Sequence, residues 1–298
     1  MPGPAEASAW TATLRAMPGH LLRLAQQRHT ALWTDVLGAE PTGPQYAVLC
    51  ALEAEPGIDQ RRLGALAGLD RSSTTDVVAR LATRGRLARA VHPTDGRRDV
   101  LTLTAEGADL TRRLHPVVAA VQDRLLGPLT AGDRDALLLD LGQVARVRSG
   151  PTGLPACLRI PGHLLRRAQQ VHTALFAADL GRGLTGPQFA AMLVLAGDTG
   201  LSQREVGDAA GLDRSTTADL VTRLERAGRV ERTRDPADRR RRLLALTAAG
   251  HDEVSAALPR VLALQERLLA PLAADERAAF LGRLAPVAGI SALRGPTG

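Results

Sequence analysis

The sequence predicts a mainly α-helical protein with small β-wings, built from one domain that occurs twice. Residues 18–30 (PGHLLRLAQQRHT) recur as residues 161–173 (PGHLLRRAQQVHT), with eleven of thirteen positions identical and an offset of 143 residues. Apolar residues make up 45% of the chain but aromatic residues only 2%. Leu, Ala and Val must therefore fill the core, and a Leu- and Ala-rich composition favours helices. A repeat of this length, present twice in 298 residues, indicates two domains.

The domain boundaries follow from the repeat and from the residues at its seam. The offset of 143 holds without a gap from residue 18 to about residue 141. Residues 148–155 (RSGPTGLP) are rich in Gly and Pro, as expected of a linker. We therefore expect one domain over residues 1–147 and a second over residues 156–298.

The first three elements of each copy are predicted to be helices. Residues 19–37 follow a Pro-Gly pair. Residues 43–55 carry Pro44 in their first turn and end at Pro56-Gly57. Residues 59–67 form a short third helix, closed by Gly68.

A fourth helix and a hairpin come next. Residues 71–84 form the helix, with Asp70 as its N-cap and Gly85 after its last turn. Residues 86–91 and 99–104 alternate polar and apolar side chains, which indicates two strands around a turn at residues 94–97.

Two further helices close the copy, at residues 104–126 and 130–147. Adding 143 to each bound gives the elements of the second copy. Three helices, a fourth that could enter the major groove, a β-hairpin wing and terminal helices describe a winged helix-turn-helix.

Charge and motifs narrow the function. The 38 basic residues are arginines and face 31 acidic ones, so the net charge is +7. A basic, Arg-rich chain is typical of a nucleic-acid binder. The chain has no phosphate-binding GxxxxGK[ST] loop, no GxSxG and no HExxH. We expect no enzyme activity and no cofactor.

The cysteines and histidines suggest neither a disulfide framework nor a metal site. Cys50 and Cys157 are the only cysteines and form no CxxC motif, which indicates a reducing compartment. Cys50 lies in an apolar run and is expected to be a small core residue. His20 and His29 are nine residues apart and point to opposite faces of one helix, so we expect no zinc. Without a leader or a spanning apolar run, we expect a cytoplasmic protein with no membrane partner.

Four ordered motifs carry a family resemblance. The second copy contains LDRST at residues 212–216, LERAG at 224–228, DPADRR at 235–240 and LTAAG at 246–250, and the first copy matches over nearly its whole length. This set resembles the MarR family of bacterial transcription regulators. The resemblance implies a homodimer built through the N- and C-terminal helices. Here it implies two protomers fused into one monomeric chain, a pseudo-dimer that binds a double-stranded DNA operator near the nucleoid, by default as a repressor.

The fourth helix would read DNA. Its N-terminal turns would reach base edges, and hydroxyls at a helix start also suit phosphates. Arg80 and Arg223 lie two turns further on and are expected at the DNA backbone. The alternative for Ser72 and Thr74 is that they only cap and pack. The expected DNA-binding residues of this helix are Arg71, Ser72, Ser73, Thr74 and Arg80, and Arg214, Ser215, Thr216, Thr217 and Arg223.

An acidic residue departs from the family's pattern in the same helix. Asp76 and Asp219 stand where many members carry a basic residue. Each could accept a hydrogen bond from cytosine, or could pair with Arg80 or Arg223 four residues on. The ion pair is the favoured expectation.

The wing is the second expected DNA reader. The family places an arginine at the wing tip, where a narrow minor groove attracts it. Copy one has Arg97 and Arg98 there, whereas copy two has a longer run that includes Arg239, Arg240 and Arg241. We therefore expect unequal grip on the two half-sites, with more phosphate contacts from copy two.

The first helix suggests a binding site for a small effector, an aromatic carboxylate or a phenol. Gln26 and His29 interrupt its apolar stripe, and buried polar side chains need partners. The family resemblance places a ligand pocket between this helix, the second and the fifth. The alternative is a hydrogen bond between the halves of the pseudo-dimer. Within each copy the candidates are Arg23, Gln26, His29, Trp33 and Tyr46, and Arg166, Gln169, His172, Phe176 and Phe189.

A second class of function stays open. A duplicated winged helix that had lost effector sensing would be a constitutive or architectural DNA-binding protein. A compound that changes the affinity for DNA would distinguish the two.

Overall fold

The fold is mainly helical with two small antiparallel sheets, which confirms the predicted class. The computed structural model describes residues 10, 12–92, 95–147, 153–181, 183–234 and 242–290, with the backbone alone for residues 92 and 95–99. Within these ranges, no helix has the length and apolar character needed to cross a membrane.

Residues 12–16 are helical, and from residue 18 onward the first copy contains six helices and a hairpin among the described residues. They are α1 (Pro18–Leu37), α2 (Gly43–Ala54), α3 (Gln60–Ala67), α4 (Arg71–Thr83), β1 (Leu87–His92), β2 (Asp95–Leu103), α5 (Ala105–Leu125) and α6 (Ala131–Val144). A 3-10 turn, Ala156–Leu158, follows.

The second copy repeats this order in the part of the chain that the structure describes. Its elements are α7 (Pro161–Leu180), α8 (Gly186–Gly197), β3 (Leu201–Ser202), α9 (Gln203–Ala210), α10 (Arg214–Arg226), β4 (Val230–Arg234), β5 (Arg242–Leu246), α11 (Ala248–Leu269) and α12 (Glu276–Val287). The helices agree with the predicted bounds to within three residues at each end.

Local sequence signals explain where the helices begin and end. Thr42 forms a capping box with Gln45 at the start of α2, and Thr185 does the same at the start of α8. Gly68 ends α3 in the left-handed conformation, with φ of 61°, and Gly211 ends α9 with φ of 62°. Glycine adopts this backbone without steric cost, so it permits the sharp turn into the next helix.

The wing of copy one differs from the prediction. Strand β2 begins at Asp95, four residues before the expected 99, and the pairing shifts between Val91 and His92. The sequence of residues 95–98 (DGRR) has no apolar side chain, so the alternation that marked the strand does not reach them. In copy two, β4 and β5 pair from Val230–Leu246 to Arg234–Arg242, close to the predicted strands.

A third strand position beside the wing was missed. Leu201–Ser202 pair with β5 in copy two, and Ile58 forms the matching bridge to Leu101 in copy one. A strand of two residues has no periodicity from which it could be predicted.

The chain forms two compact units, which do not coincide with the two sequence copies. The "Trp33 unit" comprises Ala25–Gln169 and Pro286–Gly289; the "Phe176 unit" comprises the described residues up to Leu24, Gln170–Ala285 and Ile290. The predicted division at residues 148–155 separates the sequence copies. The compact units divide within α1 and α7 instead, so each takes the first turns of one of these helices and the remainder of the other.

The cores of both units are dominated by aliphatic side chains. In the Phe176 unit α8 is buried on every side, and Leu14 and Met17, which precede α1, join the same core. In the Trp33 unit α2 is buried to a similar extent from Gln45 to Leu52, and Cys50 is completely buried, as expected. Burying a Leu or Val side chain contributes about 1.5–3 kcal/mol, so these central helices fix the frame around which the others pack.

Candidate functional site

The helix-turn-helix of each copy is closed by a tight glycine–threonine contact. A Cβ on Gly64 of α3 would lie 2.7 Å from Oγ1 of Thr74 on α4, and Gly207 and Thr217 have the same separation. Thr74 and Thr217 are 1% and 2% exposed, and their hydroxyls donate to the carbonyl oxygens of Asp70 and Asp213, each at 2.7 Å. This geometry favours the alternative that Thr74 packs, and Thr217 packs in the same way.

An aspartate network caps each α4-type helix. Asp70 accepts hydrogen bonds from Ser73 N at 2.8 Å, Ser72 Oγ at 2.7 Å and Ser73 Oγ at 2.9 Å. Asp213 accepts the matching bonds from Ser215 and Thr216. These bonds stabilise the ionised carboxylate and lower the pKa of Asp70 to about 2. The hydroxyls expected to reach DNA are thus oriented by the cap.

The exposed face of the fourth helix carries the remaining candidates. Thr75 was not among the expected residues. It is exposed, and its Oγ1 accepts a hydrogen bond from Gln60 Nε2 at 2.7 Å, whereas Ala218 stands at the matching position of copy two. Ser73 is half-buried. Exposed candidates are Arg71, Ser72 and Arg80 on α4, and Arg214, Ser215, Thr216 and Arg223 on α10.

The ion pairs expected within this helix are not formed. Asp76 and Asp219 are exposed, and neither belongs to the ion pairs found among the described side chains. An exposed pair four residues apart stabilises a helix by only about 0.2–0.5 kcal/mol, too little to hold two solvated side chains together. Both carboxylates therefore face solvent beside the arginines.

The wing arginines fall largely outside the described residues. Arg97 and Arg98 lie on β2, but their side chains are outside the described part of the chain. Arg239, Arg240 and Arg241 lie outside it altogether. The expected difference in grip between the wings stays a prediction.

The Trp33 unit contains a cavity of about 170 Å³ beside the first helix. Its walls come from α1, α2 and the segment around the start of α7. Five of the predicted effector residues line it: Gln26, His29, Trp33, Tyr46 and Arg166. Leu158, Ile160, Gly162 and His163 complete the side formed by α7 and the chain before it.

Aromatic rings form one wall of this cavity. The rings of His29 and Trp33 are 5.7 Å apart, as are those of Trp33 and Tyr46. The indole Nε1 of Trp33 donates to the carbonyl oxygen of Pro41 at 2.7 Å, which fixes the ring. A flat apolar surface of this kind suits an aromatic ring.

His29 supplies a polar group at the same wall. Its Nε2 lies 3.2 Å from Gln122 Nε2, and Gln122 Oε1 accepts from Gly162 N at 2.9 Å. The amide therefore donates to Nε2, so Nδ1 carries the ring proton, and Nδ1 has no partner among the described atoms. Burial and the charge of Arg166 lower the pKa of His29 to about 4, so the ring is neutral near pH 7.

Arg166 connects the cavity to the helix-turn-helix. Its Nη1 donates to Gly68 O at 2.7 Å and its Nη2 to Ala67 O at 2.5 Å, and Nη2 also lies 3.1 Å from His163 Nδ1. Burial lowers the pKa of Arg166 to about 10, so the group stays charged. Among the described residues, no carboxylate forms an ion pair with it.

The structure corrects the expected pairing of arginines with pockets. Arg23 was expected beside His29, but it belongs to the Phe176 unit, where it donates to Gly211 O at 2.6 Å and to Ala210 O. Arg166 was expected beside His172, but it lies beside His29. Sequence proximity on one helix suggested the wrong pairs, because α1 and α7 each pass from one unit into the other.

The Phe176 unit repeats the histidine arrangement with apolar rings. Gln265 Nε2 lies 3.4 Å from His172 Nε2, and Gln265 Oε1 accepts from Gly19 N at 2.9 Å. The rings of His172 and Phe176 are 5.9 Å apart, and those of Phe176 and Phe189 are 6.2 Å apart. Burial lowers the pKa of His172 to about 4, and the charge of Arg23 adds to this shift. Gln169 is half-buried on α7, just before the division between the units.

The histidine geometry bears on the alternative that the polar residues only join the two halves. His29 and His172 each bind a glutamine of their own sequence copy, and each glutamine binds a backbone N–H of the other copy's first helix. These bonds occupy Nε2 and leave Nδ1 of both rings without a partner among the described atoms. The bonds between the copies therefore use only one nitrogen of each ring.

A polar cluster in the Trp33 unit was missed from the sequence. Tyr46 Oη lies 3.0 Å from His115 Nδ1, and His115 Nε2 lies 2.8 Å from Glu53 Oε2. Cys157 Sγ donates to Cys50 O at 3.6 Å. These residues are dispersed along the chain, and the only signal in the sequence is that the residue 143 positions away from each of them is apolar.

Comparison with known proteins supports the assignment of both copies. The MarR family model matches residues 40–98 and 182–241. Transcriptional regulator HosA of Escherichia coli O111:H- is 38% identical over 119 residues, which cover 40% of this chain and 87% of HosA. HTH-type transcriptional repressor NicR of Pseudomonas putida is 36% identical over 121 residues, which cover 40% of this chain and 77% of NicR.

One solved structure is also similar in sequence to part of this chain. The PcaV transcriptional regulator from Streptomyces coelicolor, in complex with its natural ligand, is 50% identical, with a TM-score of 0.40 over 42% of this chain and 87% of PcaV. The relatives named here are transcription regulators matched over most of their length, and two regions of this chain match one family. The chain belongs to the MarR family, of which it carries two copies in tandem.

Proposed function

We propose that this protein is a sequence-specific DNA-binding transcription regulator, most simply a repressor, that a small aromatic carboxylate or phenol releases from DNA. The observation that carries the proposal is the position of Arg166. This one guanidinium lines the cavity and also holds the last carbonyl groups of α3 in the helix-turn-helix.

The DNA-binding part of the proposal rests on charge and exposure. Arg71 and Arg80 on α4, and Arg214 and Arg223 on α10, are exposed in a chain whose net charge is +7. One chain supplies two such helices. It would bind a pseudo-palindromic operator as a pseudo-dimer, with half-sites about one helical turn apart. The named relatives HosA and NicR are transcription regulators, and NicR is a repressor. The cytoplasm, at the nucleoid, is the corresponding place of action.

The ligand class follows from the size and chemistry of the cavity. Its volume of about 170 Å³ is close to the ~150 Å³ of a protein cavity that holds one benzene ring. Trp33 and Tyr46 provide aromatic surface. The charged fork of Arg166 provides donors for a carboxylate or a phenolate oxygen, and the neutral ring of His29 forms part of the same wall.

Competition for Arg166 provides the coupling to DNA. Its bonds to Ala67 and Gly68 fix the end of α3, and Asp70, two residues later, caps α4. A ligand carboxylate that takes over one edge of the guanidinium would weaken this hold and change the position of the reading helix. Couplings between sites are typically 1–3 kcal/mol, so the ligand should weaken DNA binding about 5- to 150-fold.

The test is a titration of labelled DNA with the whole chain, using a site located by DNase footprinting upstream of its own gene. Fluorescence anisotropy would be measured with and without a panel of benzoates, hydroxybenzoates and phenols. We expect at least one compound to weaken binding within the stated range, and R166A to abolish that response. R159A is the matched control, because Arg159 is exposed on the same segment and does not line the cavity.

Two results would contradict the proposal. If no compound in the panel changes the affinity for DNA, the constitutive or architectural DNA-binding alternative holds. If light scattering of the protein–DNA complex finds two chains on each operator, the single-chain pseudo-dimer is wrong.

A further inference from the structure

Five polar side chains meet in the Trp33 unit at a place where the Phe176 unit has only apolar ones. Cys50 and Glu53 lie one turn apart on α2, His115 lies on α5, and Cys157 lies on the 3-10 turn that precedes α7. Tyr46 joins them from the preceding turn of α2. The sulfur of Cys50, a carboxylate oxygen of Glu53 and a ring nitrogen of His115 all lie within 4.8 Å of one another.

The fourth candidate donor is Cys157. Its Sγ lies 3.6 Å from the carbonyl oxygen of Cys50, and its thiol interacts with the Cys50 thiol. Cys157 is half-buried, whereas Cys50 is fully buried. A ligand or ion held between them would therefore have protein on one side and an approach from the other.

The Phe176 unit shows that the fold does not need this cluster. The positions that match Cys50, Glu53 and His115 are Leu193, Ala196 and Leu258, and those that match Cys157 and Tyr46 are Leu14 and Phe189. All five are apolar and pack in or against the core of the Phe176 unit. The two units therefore differ at five matching positions, which are polar in the Trp33 unit and apolar in the Phe176 unit.

We propose that Cys50, Cys157, His115 and Glu53 form a binding site for a thiophilic divalent metal ion of the zinc class. This inference is independent of the proposed DNA and effector binding. Two sulfurs with one imidazole favour Zn²⁺ over the oxygen-seeking ions Mg²⁺ and Ca²⁺. Four protein ligands correspond to a closed tetrahedral site of the structural type.

The present spacing is close to that of a formed site. Zinc bonds of ~2.0–2.3 Å in a tetrahedron place ligand atoms roughly 3.3–3.8 Å apart. Cys50, Glu53 and His115 offer donor atoms within 4.8 Å of one another, so their separations would need to shrink by at most about 1.5 Å. Cys157 is not in this group of three and would have to turn toward it. Glu53 is exposed and Cys157 is half-buried, so both side chains can change rotamer. These changes can supply the movement without moving α2.

Tyr46 gives the histidine the support that metal ligands usually have. His115 Nε2 points toward Glu53 at 2.8 Å, and Nδ1 lies 3.0 Å from Tyr46 Oη. Binding through Nε2 would leave Nδ1–H donating to the tyrosine oxygen. An outer hydrogen bond of this kind orients the ring, and its loss typically costs 10- to 100-fold in metal affinity.

The test is a titration of the whole chain, reduced and stripped with a chelator, with Co²⁺ as a spectroscopic probe. We expect one Co²⁺ per chain, an intense thiolate-to-cobalt charge-transfer band, and displacement of Co²⁺ by Zn²⁺. Each variant carries the residue found at the matching position of the Phe176 unit. C157L and C50L should each reduce the charge-transfer band, H115L should weaken binding by more than about 100-fold, and Y46F by about 10- to 100-fold with the band retained.

The controls separate loss of the site from loss of the fold. Circular dichroism and thermal melting would accompany every variant, and H251L, on α11 of the Phe176 unit, should bind Co²⁺ as the parent does. If C50L does not fold, H115L and C157L still decide the question. Absence of a charge-transfer band in the reduced parent overturns the proposal, as does unchanged binding in C157L. Air oxidation to a Cys50–Cys157 disulfide in a protein that binds no Co²⁺ also overturns it.

Discussion

The Trp33 unit and the Phe176 unit agree at the helix-turn-helix and differ behind it. In both, an arginine from the other copy's first helix donates to the carbonyl groups that end the third helix: Arg166 to Ala67 and Gly68, and Arg23 to Ala210 and Gly211. The aspartate caps also agree. By contrast, the aromatic series Trp33–Tyr46–His115 of one unit is Phe176–Phe189–Leu258 in the other.

The difference shows which contacts the duplicated architecture requires. The arginine–carbonyl bonds and the glutamine bonds to histidine and glycine occur in both units, so they belong to the shared architecture. The polar chain beyond Tyr46 occurs once, so it belongs to a property of the Trp33 unit alone. We therefore expect the two units to respond equally to changes in the first set and unequally to changes in the second.

The largest expected effect comes from the glycines that face the histidines. A Cβ at Gly162 would lie 2.0 Å from His29 Nε2, and a Cβ at Gly19 would lie 2.1 Å from His172 Nε2. G162A and G19A should each lower the free energy of unfolding by about 3 kcal/mol, because the ring must leave a well-packed site. Chemical denaturation would measure this. G142A, on α6 with open space around it, should not destabilise, and a similar loss in G142A would contradict the steric explanation.

The next effect concerns the wings and should be unequal. Removing a DNA-contacting arginine costs about 1–3 kcal/mol, and each lost phosphate contact lowers the salt slope by about 1. The triple variant of Arg239, Arg240 and Arg241 to alanine should therefore lower the slope by more than the R97A/R98A double variant. Anisotropy with operator DNA at several salt concentrations would measure both slopes. Equal slopes for the two variants would show that the two wings make similar numbers of phosphate contacts.

A smaller effect is expected where Tyr46 and Phe189 differ. Y46F removes the partner of His115 Nδ1 and should cost about 1 kcal/mol of stability. F189Y places a hydroxyl in a buried site where position 258 is Leu, and should cost about 1–3 kcal/mol. Thermal and chemical unfolding would measure both. In the Y46F/H115L double variant the two costs should not add, and strict additivity would argue against their coupling.

The smallest effect is expected at the helix caps in acid. The pKa of Asp70 is about 2, below its ordinary value of 3.8, and hydrogen bonds from Thr216 and Ser215 also lower the pKa of Asp213. Their contribution is therefore complete above pH 3.8 and is lost as the pH falls through the folded-state pKa. D70N and D213N should flatten the fall in melting temperature between about pH 4 and pH 2. If the melting temperature of these variants falls with decreasing pH as steeply as that of the parent, the caps do not contribute to the acid response.

Much of the fold could be predicted because the signals are local. Asp70, Thr42 and Gly68 mark helix ends through bonds to residues within five positions, and the repeat checks every assignment twice. The partners of Arg23 and Arg166 could not be predicted. Periodicity predicts which face of a helix is buried, but not which element packs against that face. These arginines also bind backbone carbonyl groups, which every residue has and which therefore leave no signal in the sequence.

The candidate sites show the same limit. Gln26, His29, Trp33 and Tyr46 were found because they share helical faces with apolar neighbours, and all four line one cavity. Thr74 was placed among the DNA contacts because it follows the N-cap, but its packing against Gly64 depends on how two helices cross. Cys157 and His115 come from distant segments, and only the apolar residues Leu14 and Leu258 at the matching positions set them apart.

The exchange of Arg23 and Arg166 has a consequence for the gene. The cavity of the Trp33 unit is encoded in both halves of the reading frame, by codons near residue 29 and by codons near residue 166. Selection on that cavity therefore acts on both halves at once. If recombination replaced one half with the sequence of a single-copy relative, the new half would have to match the cavity residues of the other half. Fusion therefore keeps matched halves together, whereas two separate genes could be inherited apart.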